Sequence, residues 1–436
     1  MTTADGHAAR AASRSRPAAR ASLLTRPLAS YYLLLSSTLL LVALGLFMVL
    51  SASSVTEFAK SGSSFTLFRK QLLWVGIALP LMWVAVHLPV RVFRRLAYPV
   101  LLGAVVLLIM VLVIGFEVDG ATRWMMVGPF SVQPSEFAKL ALALWGADLL
   151  ARKAKLLHQW KHVFVPLLPV ATLLALLIIL EPDMGTMMAL LCVVVGLLWV
   201  VGVPMRVFAL LSAALVAILA GVAVSSPYRY DRITAWLDPE AHASNNAYQA
   251  IQGKIAIAQG GWFGVGPGAS RQKWGALPAS QTDYIFGIIG EELGLVGTLV
   301  VVLLFGVLAY AGIRIAMRSV DPFCRYAAAA VTCWIVGQAV INIAVVVGLV
   351  PVTGIPLPLI SFGGSSLLTT LFAVGMLAAF ARNEPEAAAA LAARGPTAVR
   401  RAGRWAVRYY GFGPAPSGPG RRRTRTRRSP RRSDAA

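Results

Sequence analysis

Runs of about twenty apolar residues recur along this chain, and they limit its fold more than any other feature. A helix of roughly 20 such residues crosses the ~30 Å hydrocarbon core of a bilayer. Helices also satisfy their own backbone groups where no water is at hand. Ten runs are legible, near 28–52, 70–89, 95–116, 134–151, 163–180, 184–203, 205–224, 284–313, 324–348 and 364–382. With 58% hydrophobic and 13% charged residues, a soluble enzyme would need shorter buried helices broken by strands. The expected fold is therefore an all-α polytopic membrane protein of about ten transmembrane helices. A large extracytoplasmic loop, residues 225–282, separates the seventh from the eighth. Residues 1–27 read as a disordered basic tail, 28–382 as the membrane domain and 383–436 as a second, Arg-rich tail.

Charge placement orients the spans. Turns after even-numbered spans carry Arg91, Arg94 and Arg95, then Arg152, Lys153, Lys155 and Lys161, then Arg206, then Arg314, Arg318 and Arg325. Turns after odd-numbered spans carry few cations, which by the positive-inside rule places both termini in the cytoplasm and Asp283 outside. Much of the net charge of +22 lies in the tails: five arginines precede Leu28, and fourteen follow from Arg382 onward. Basic tails beside a membrane read as anchors to anionic lipid. No folded module surrounds RRRTRTRR, so nucleic acid is not an expected partner. Cys192, Cys324 and Cys333 fall in or beside apolar runs and suggest neither a disulfide framework nor a metal cluster. His158 and His162 sit among lysines and arginines of one loop, which explains them better than a metal site does.

The predicted outer turns hold the unusual residues. In LPASQTDYIFGIIGEELGLVGT, residues 277–298, Asp283 opens an apolar run that also contains Glu291 and Glu292. If the run is helical from Asp283, then Gly287, Gly290, Glu291, Gly294 and Gly297 share its face. Carboxylates within a span face a cavity or a partner, and glycines admit a close neighbour. The plainer reading is helix packing with Asp283 as a cap. VDGATRWMMVGPFSVQPSEFAK supplies Arg123, Gln133, Glu136 and Lys139, with Pro134 suited to a first helical turn. EPDMGT places Glu181 and Asp183 in a very short turn. GLVPVTGIPLPLISFGGSS ends in Ser361, Gly363, Gly364, Ser365 and Ser366, whose backbone amides are expected to be free. For each turn alone, an interfacial ion pair suffices as explanation; together they concentrate acids and cations at one membrane face. The glycines near 260–268 make no nucleotide loop, because no GK[ST] follows. The loop around them reads as a flexible, partly helical cap.

These stretches closely resemble the SEDS family (shape, elongation, division and sporulation), of the FtsW and RodA type. The resemblance covers most of residues 30–382 in family order: SAS at 51–53, GATRW at 120–124, QPSEFAK at 133–139 and EPDMGT at 181–186. It continues with Tyr248–Gln249, the glycine-rich run to Lys273, TDYIFGIIGEELG at 282–294 and PVTGIPLPLISFGGSS at 351–366. It implies a ten-helix fold and a peptidoglycan glycosyltransferase that polymerises lipid II in the bacterial cytoplasmic membrane. It also implies a class B penicillin-binding transpeptidase and other division-machinery proteins as partners. The family's catalytic aspartate falls on Asp283. Departures are Asp119, where the family often has Asn, and Leu277–Pro278–Ala279, where it often has LPE. EPDMGT and the SAS end of the first span favour the division branch, active at the septum, over the elongation branch.

The residues fit that chemistry. Joining the sugars requires a base for the acceptor 4-hydroxyl, and cations for a leaving undecaprenyl pyrophosphate. Asp283 can serve as the base. Arg123 and Lys139 can face the diphosphate or hold Asp283. Gln133, Glu136, Glu181, Asp183, Lys273, Thr282, Ser361, Gly363, Gly364 and Ser365 complete the expected substrate site. No tightly bound cofactor is expected; a divalent cation, Mg or Mn, can accompany the diphosphate. One base and a good leaving group suffice for an inverting displacement, so Glu291 and Glu292 are expected to be structural. The rivals are a flippase of lipid-linked precursor, for which Glu291 is the tempting residue, and a non-catalytic division scaffold.

Overall fold

A computed structural model describes residues 26–118, 121–128, 130–157, 159–210, 213, 221, 234–239, 241, 247–274 and 277–393. The chain divides into a unit of residues 1–389 and a second of 390–436, of which only 390–393 are described. The helices are α1 (Ala29–Ser61), α2 (Thr66–His87), α3 (Val90–Ile114), α4 (Pro134–Arg152), α5 (Trp160–Leu180) and α6 (Met184–Val201). After them come α7 (Tyr248–Gly260), α8 (Ile285–Arg318), α9 (Pro322–Val347), α10 (Gly364–Arg382) and α11 (Pro385–Ala393). Eight of these are long and apolar enough to cross a membrane. Helix α4 has spanning length but carries Glu136, Lys139, Asp148 and Arg152. The expected seventh span, 205–224, lies mostly outside the described residues.

Local sequence accounts for the helix ends. Pro134 and Pro322 occupy first turns, where a missing N–H costs nothing. Asp183 caps α6 through the Thr186 amide, and Asp321 caps α9 through the Phe323 amide. Gly202 and Gly348 close α6 and α9 in the left-handed conformation that glycine adopts freely.

Helices α4 and α10 form the centre: α10 is almost wholly buried, and so is α4 apart from Phe137 and its last two residues. A charged helix is tolerable there because protein, not lipid, surrounds it. One end of the bundle carries a basic belt. Arg94 and Arg152 grip the buried Asp148 at 3.0 and 2.7 Å, and Arg318 reaches Glu386 at 3.0 Å and Glu384 at 3.9 Å.

Two features depart from the expected pattern. The turn after α3 folds into a small antiparallel sheet, β1 (Phe116–Val118), β2 (Ala121–Val127) and β3 (Phe130–Val132), in that order. Its Phe130 ring lies 5.0 Å from Trp74 of α2. The glycine–carboxylate face expected along α8 is broken, because Gly294 takes φ 67°, ψ −164° inside the helix. There the backbone of residues 261–266 replaces the lost helical partners. Val265 and Gly266 amides donate to Glu291 and Glu292 carbonyls at 2.9 and 3.1 Å, and Leu295 and Val296 amides donate to Gly261 and Trp262 carbonyls at 2.9 and 3.2 Å. A side chain at Gly294 would collide with this backbone, so glycine is required on two counts. Irregular backbone is tolerated at such depth because its groups are paired within the protein.

Candidate active site

Asp283 stands in the turn before α8, not on the helix; the N-cap position belongs to Tyr284, which makes no side-chain cap. The Asp283 turn is held from beneath by backbone contacts to the loop 351–363. Ser361 donates its hydroxyl to the Thr282 carbonyl at 2.6 Å, and the Phe362 amide donates to the Gln281 carbonyl at 3.0 Å. Asn342 of α9, 1% exposed, donates to the Asp283 carbonyl and to the Ile355 carbonyl, both at 2.7 Å. The half-buried carboxylate lies beside Gly354, 3.6 Å from where a Cβ there would stand. Ala279 and Leu359, one in each of the two clamped segments, hold left-handed φ values of 55° and 66°. Strain of this kind persists where the surroundings over-determine the backbone.

A second layer joins α4, α6, α9 and α10. Asp183, 2% exposed, accepts from Gln133 Nε2 at 2.7 Å, Thr186 Oγ1 at 2.7 Å and the Thr186 amide at 3.0 Å. The Gln133 amide donates to Ser365 Oγ at 3.4 Å. Lys139, 1% exposed, donates to Glu136 at 2.8 Å and to Gln338 Oε1 at 2.9 Å, with the Trp334 ring centroid 5.0 Å away. Gln338 in turn donates to the Pro356 carbonyl at 3.0 Å, and Thr369 to Glu136 at 3.4 Å. The Lys139 pair is thus tied, through Gln338 and the 351–363 loop, to the turn that carries Asp283.

Several expected site residues occupy other roles. The Ser361 amide is spent on Leu357 and the Gly363 amide on Gln71, so the expected free amides are not free at these two positions, and the Phe362 amide between them is spent on Gln281. Those of Gly364 and Ser365 open α10, which has no capping side chain. Gly364 has no room for a Cβ against Trp74. Lys273, 3% exposed, pairs with Glu292 at 3.3 Å and donates to the Gly268 carbonyl. Glu292 also accepts from Ser51 at 2.7 Å, and Glu291 from Ser270 and the Arg271 amide at 2.6 and 2.7 Å. These two acids fasten the 261–273 loop to α8, as a structural role requires. The described residues do not form a cage for Mg or Mn. Among them no three His, Cys, Asp or Glu gather, and Asp183 already accepts three hydrogen bonds.

Glu181 is fully buried, and neither carboxyl oxygen has a hydrogen-bond partner. Burial pushes its pKa up to about 9; neighbouring Asp183 adds to the rise and Arg123 opposes it. Between the ordinary carboxyl value of 4.5 and about 9, the folded chain keeps a proton that the unfolded chain has lost. Stability should therefore decline as pH rises through that window, and Glu181→Gln should flatten the decline. Thermal unfolding of the detergent-solubilised protein across this range checks it; equal slopes in both proteins would refute the protonated state. Arg123 also keeps its buried Nε without a partner, so a neutral carboxyl group and one nitrogen of a guanidinium remain unsatisfied beside the second layer.

Gln71, Gln338 and Asn342 were not anticipated. The i, i+4 pair of amides at 338 and 342 inside an apolar run was the available signal, since polar residues in a span rarely lack a task. Asn342→Leu keeps the shape but releases the Asp283 and Ile355 carbonyls. We expect a folded protein with turnover lower by about ten- to a hundredfold, since small misplacements at a reacting centre cost that much. Unchanged kcat in a steady-state assay would show that α9 does not hold the turn.

A bundle of spanning helices, with a strained polar turn clamped at one end and a basic belt at the other, defines a polytopic membrane protein with a site built from its inter-helix loops. A family model described as a cell cycle protein, covering FtsW, RodA and SpoVE, matches residues 31–386. The chain belongs to this family. It is 45% identical over 390 residues to the probable peptidoglycan glycosyltransferase FtsW of Mycobacterium tuberculosis, covering 89% of this chain and 74% of that one. It is 40% identical to the stage V sporulation protein E of Bacillus subtilis, covering 79% and 95%. Among solved structures it resembles a chain of a peptidoglycan synthase complex with a TM-score of 0.68 and 29% identity, covering 81% and 97%. The RodA of Thermus thermophilus gives a TM-score of 0.60 with 27% identity over 81% and 96%.

Proposed function

We propose that this protein is a peptidoglycan glycosyltransferase that polymerises lipid II at the outer face of the bacterial cytoplasmic membrane, in septal synthesis, with Asp283 as general base. The observation that carries the assignment of the base is the placement of Asp283. Its backbone is fixed from two sides, and its half-buried carboxylate lies beside the 351–363 loop. In this reading Asp283 takes the proton of the acceptor 4-hydroxyl as that oxygen attacks the donor's anomeric carbon. The bond from that carbon to the diphosphate breaks, undecaprenyl pyrophosphate leaves, and the configuration inverts. Arg123 is the cation assigned to the departing diphosphate. Lys139 holds the scaffold beneath Asp283 through Gln338. A class B penicillin-binding transpeptidase is the proposed partner, in keeping with the synthase complex whose chain this one resembles.

Polymerisation of purified lipid II by the purified protein with its transpeptidase tests the activity; absence of glycan strands from the active-site-intact complex would refute it. The flippase reading loses its main support, because Glu291 is taken up by Ser270 and Arg271. Both termini are assigned to the cytoplasm on the basic belt. Ala243→Cys, with the native cysteines removed, should then react with an impermeant thiol reagent in whole cells. Labelling only after lysis would reverse the topology and take the base off the outer face.

A further inference from the structure

At the basic end of the bundle, α6 and α8 both pack on α9 and leave a groove of about 850 Å³ between them. Its walls are Val195 and Trp199 of α6 and Ile313 and Met317 of α8; its floor includes Ala329 and Cys333 of α9. Trp199 and Met317 are 62% and 71% exposed, so the groove opens sideways, toward the hydrocarbon of a surrounding bilayer. Along α9 it runs from Arg325 to Gly337. Those twelve residues of helix rise about 18 Å, against about 15 Å for half of a hydrocarbon core. The groove is therefore about one leaflet deep, with a cation at its membrane-edge end.

Charge identifies what fits. Arg318 is engaged by Glu386 and Glu384, and Arg94 by Asp148. The exposed Arg325 instead places one guanidinium nitrogen on the Ser319 carbonyl at 3.3 Å. Nearby Asp321 is turned to the Phe323 amide at 2.9 Å. A guanidinium with donors remaining suits a phosphate, which it can grip with two hydrogen bonds. We infer that this groove is a binding site for one anionic phospholipid of the leaflet at the basic end, its acyl chain along α9 and its phosphate on Arg325. The site is separate from the glycosyltransferase reading and stands or falls without it.

The test uses the full chain in nanodiscs of equimolar phosphatidylglycerol and phosphatidylcholine, followed by detergent extraction and native mass spectrometry of retained lipid. The wild-type protein should retain phosphatidylglycerol over phosphatidylcholine by about tenfold or more. Arg325→Gln, at an exposed position, should lower that retention about tenfold, and Arg325→Lys should keep part of it. Ala329→Phe, which places a ring on the floor, should displace lipid of both kinds; should that variant fold poorly, the two Arg325 variants decide alone. Equal retention of the two lipids, or loss of none with Arg325→Gln, would overturn the proposal. So would wild-type protein that retains no lipid.

Discussion

Asp283→Asn is expected to abolish glycan polymerisation while the protein still inserts, binds its transpeptidase and retains lipid II. The substitution keeps the shape of the side chain and most of its hydrogen bonding but removes a carboxylate able to take a proton. A positioned base contributes about 10²–10⁴-fold, so the loss should be far outside assay scatter. The structure sharpens this test. A helix cap would tolerate Asn almost as well as Asp, but the N-cap position of α8 is Tyr284, and the Asp283 turn is fixed through its backbone carbonyl by Asn342. The Asn variant should therefore leave the clamp intact. Near-normal polymer at matched membrane levels would falsify the catalytic assignment.

Lys139→Met should cost both stability and turnover. An ammonium at the membrane edge would leave little behind on removal, but this one is 1% exposed and paired with an equally buried Glu136. Breaking such a pair from one side costs about 3–5 kcal/mol, because the other charge stays buried. Adding Glu136→Leu removes that charge and should restore most of the unfolding midpoint. Turnover should stay low in the double variant, because Gln338 has lost one of the two donors that fix it against Pro356 and keeps only the Trp334 indole at 2.9 Å. Recovery of full activity together with stability would mean that Lys139 serves only to neutralise Glu136, and the link from α4 to the Asp283 turn would be lost.

The apolar runs sufficed to place α1 to α6 and α8 to α10, because a membrane demands long helices and little else. The motifs likewise brought the right loops together: Gln133, Asp183 and Ser365 do meet, and so do Thr282 and Ser361. What stayed hidden were partnerships between residues far apart in sequence. Lys273 stood among the expected substrate-site residues, yet Glu292 and Gly268 have taken it. The glycines of the 260–268 run looked like flexible punctuation, yet they pass backbone into a gap in α8 that only Gly294 can open. The sheet after α3 went unread because its strands are short and a single stretch served equally well as a turn.

The sequence by itself determined the class of protein, the position of most of its spans and the basic end of the bundle. Helix formation in a bilayer is local, and charge bias needs no partner. Only the tertiary structure decided which polar groups are used up and which remain available. A buried donor or acceptor must find its complement wherever the fold brings one. Asn342 lies 59 positions from the carbonyl it holds, and Gln338 lies 199 from Lys139. No local pattern records those distances. They come from helices packing side by side, and that packing leaves the Asp283 turn clamped and Glu181 shut in as a neutral acid.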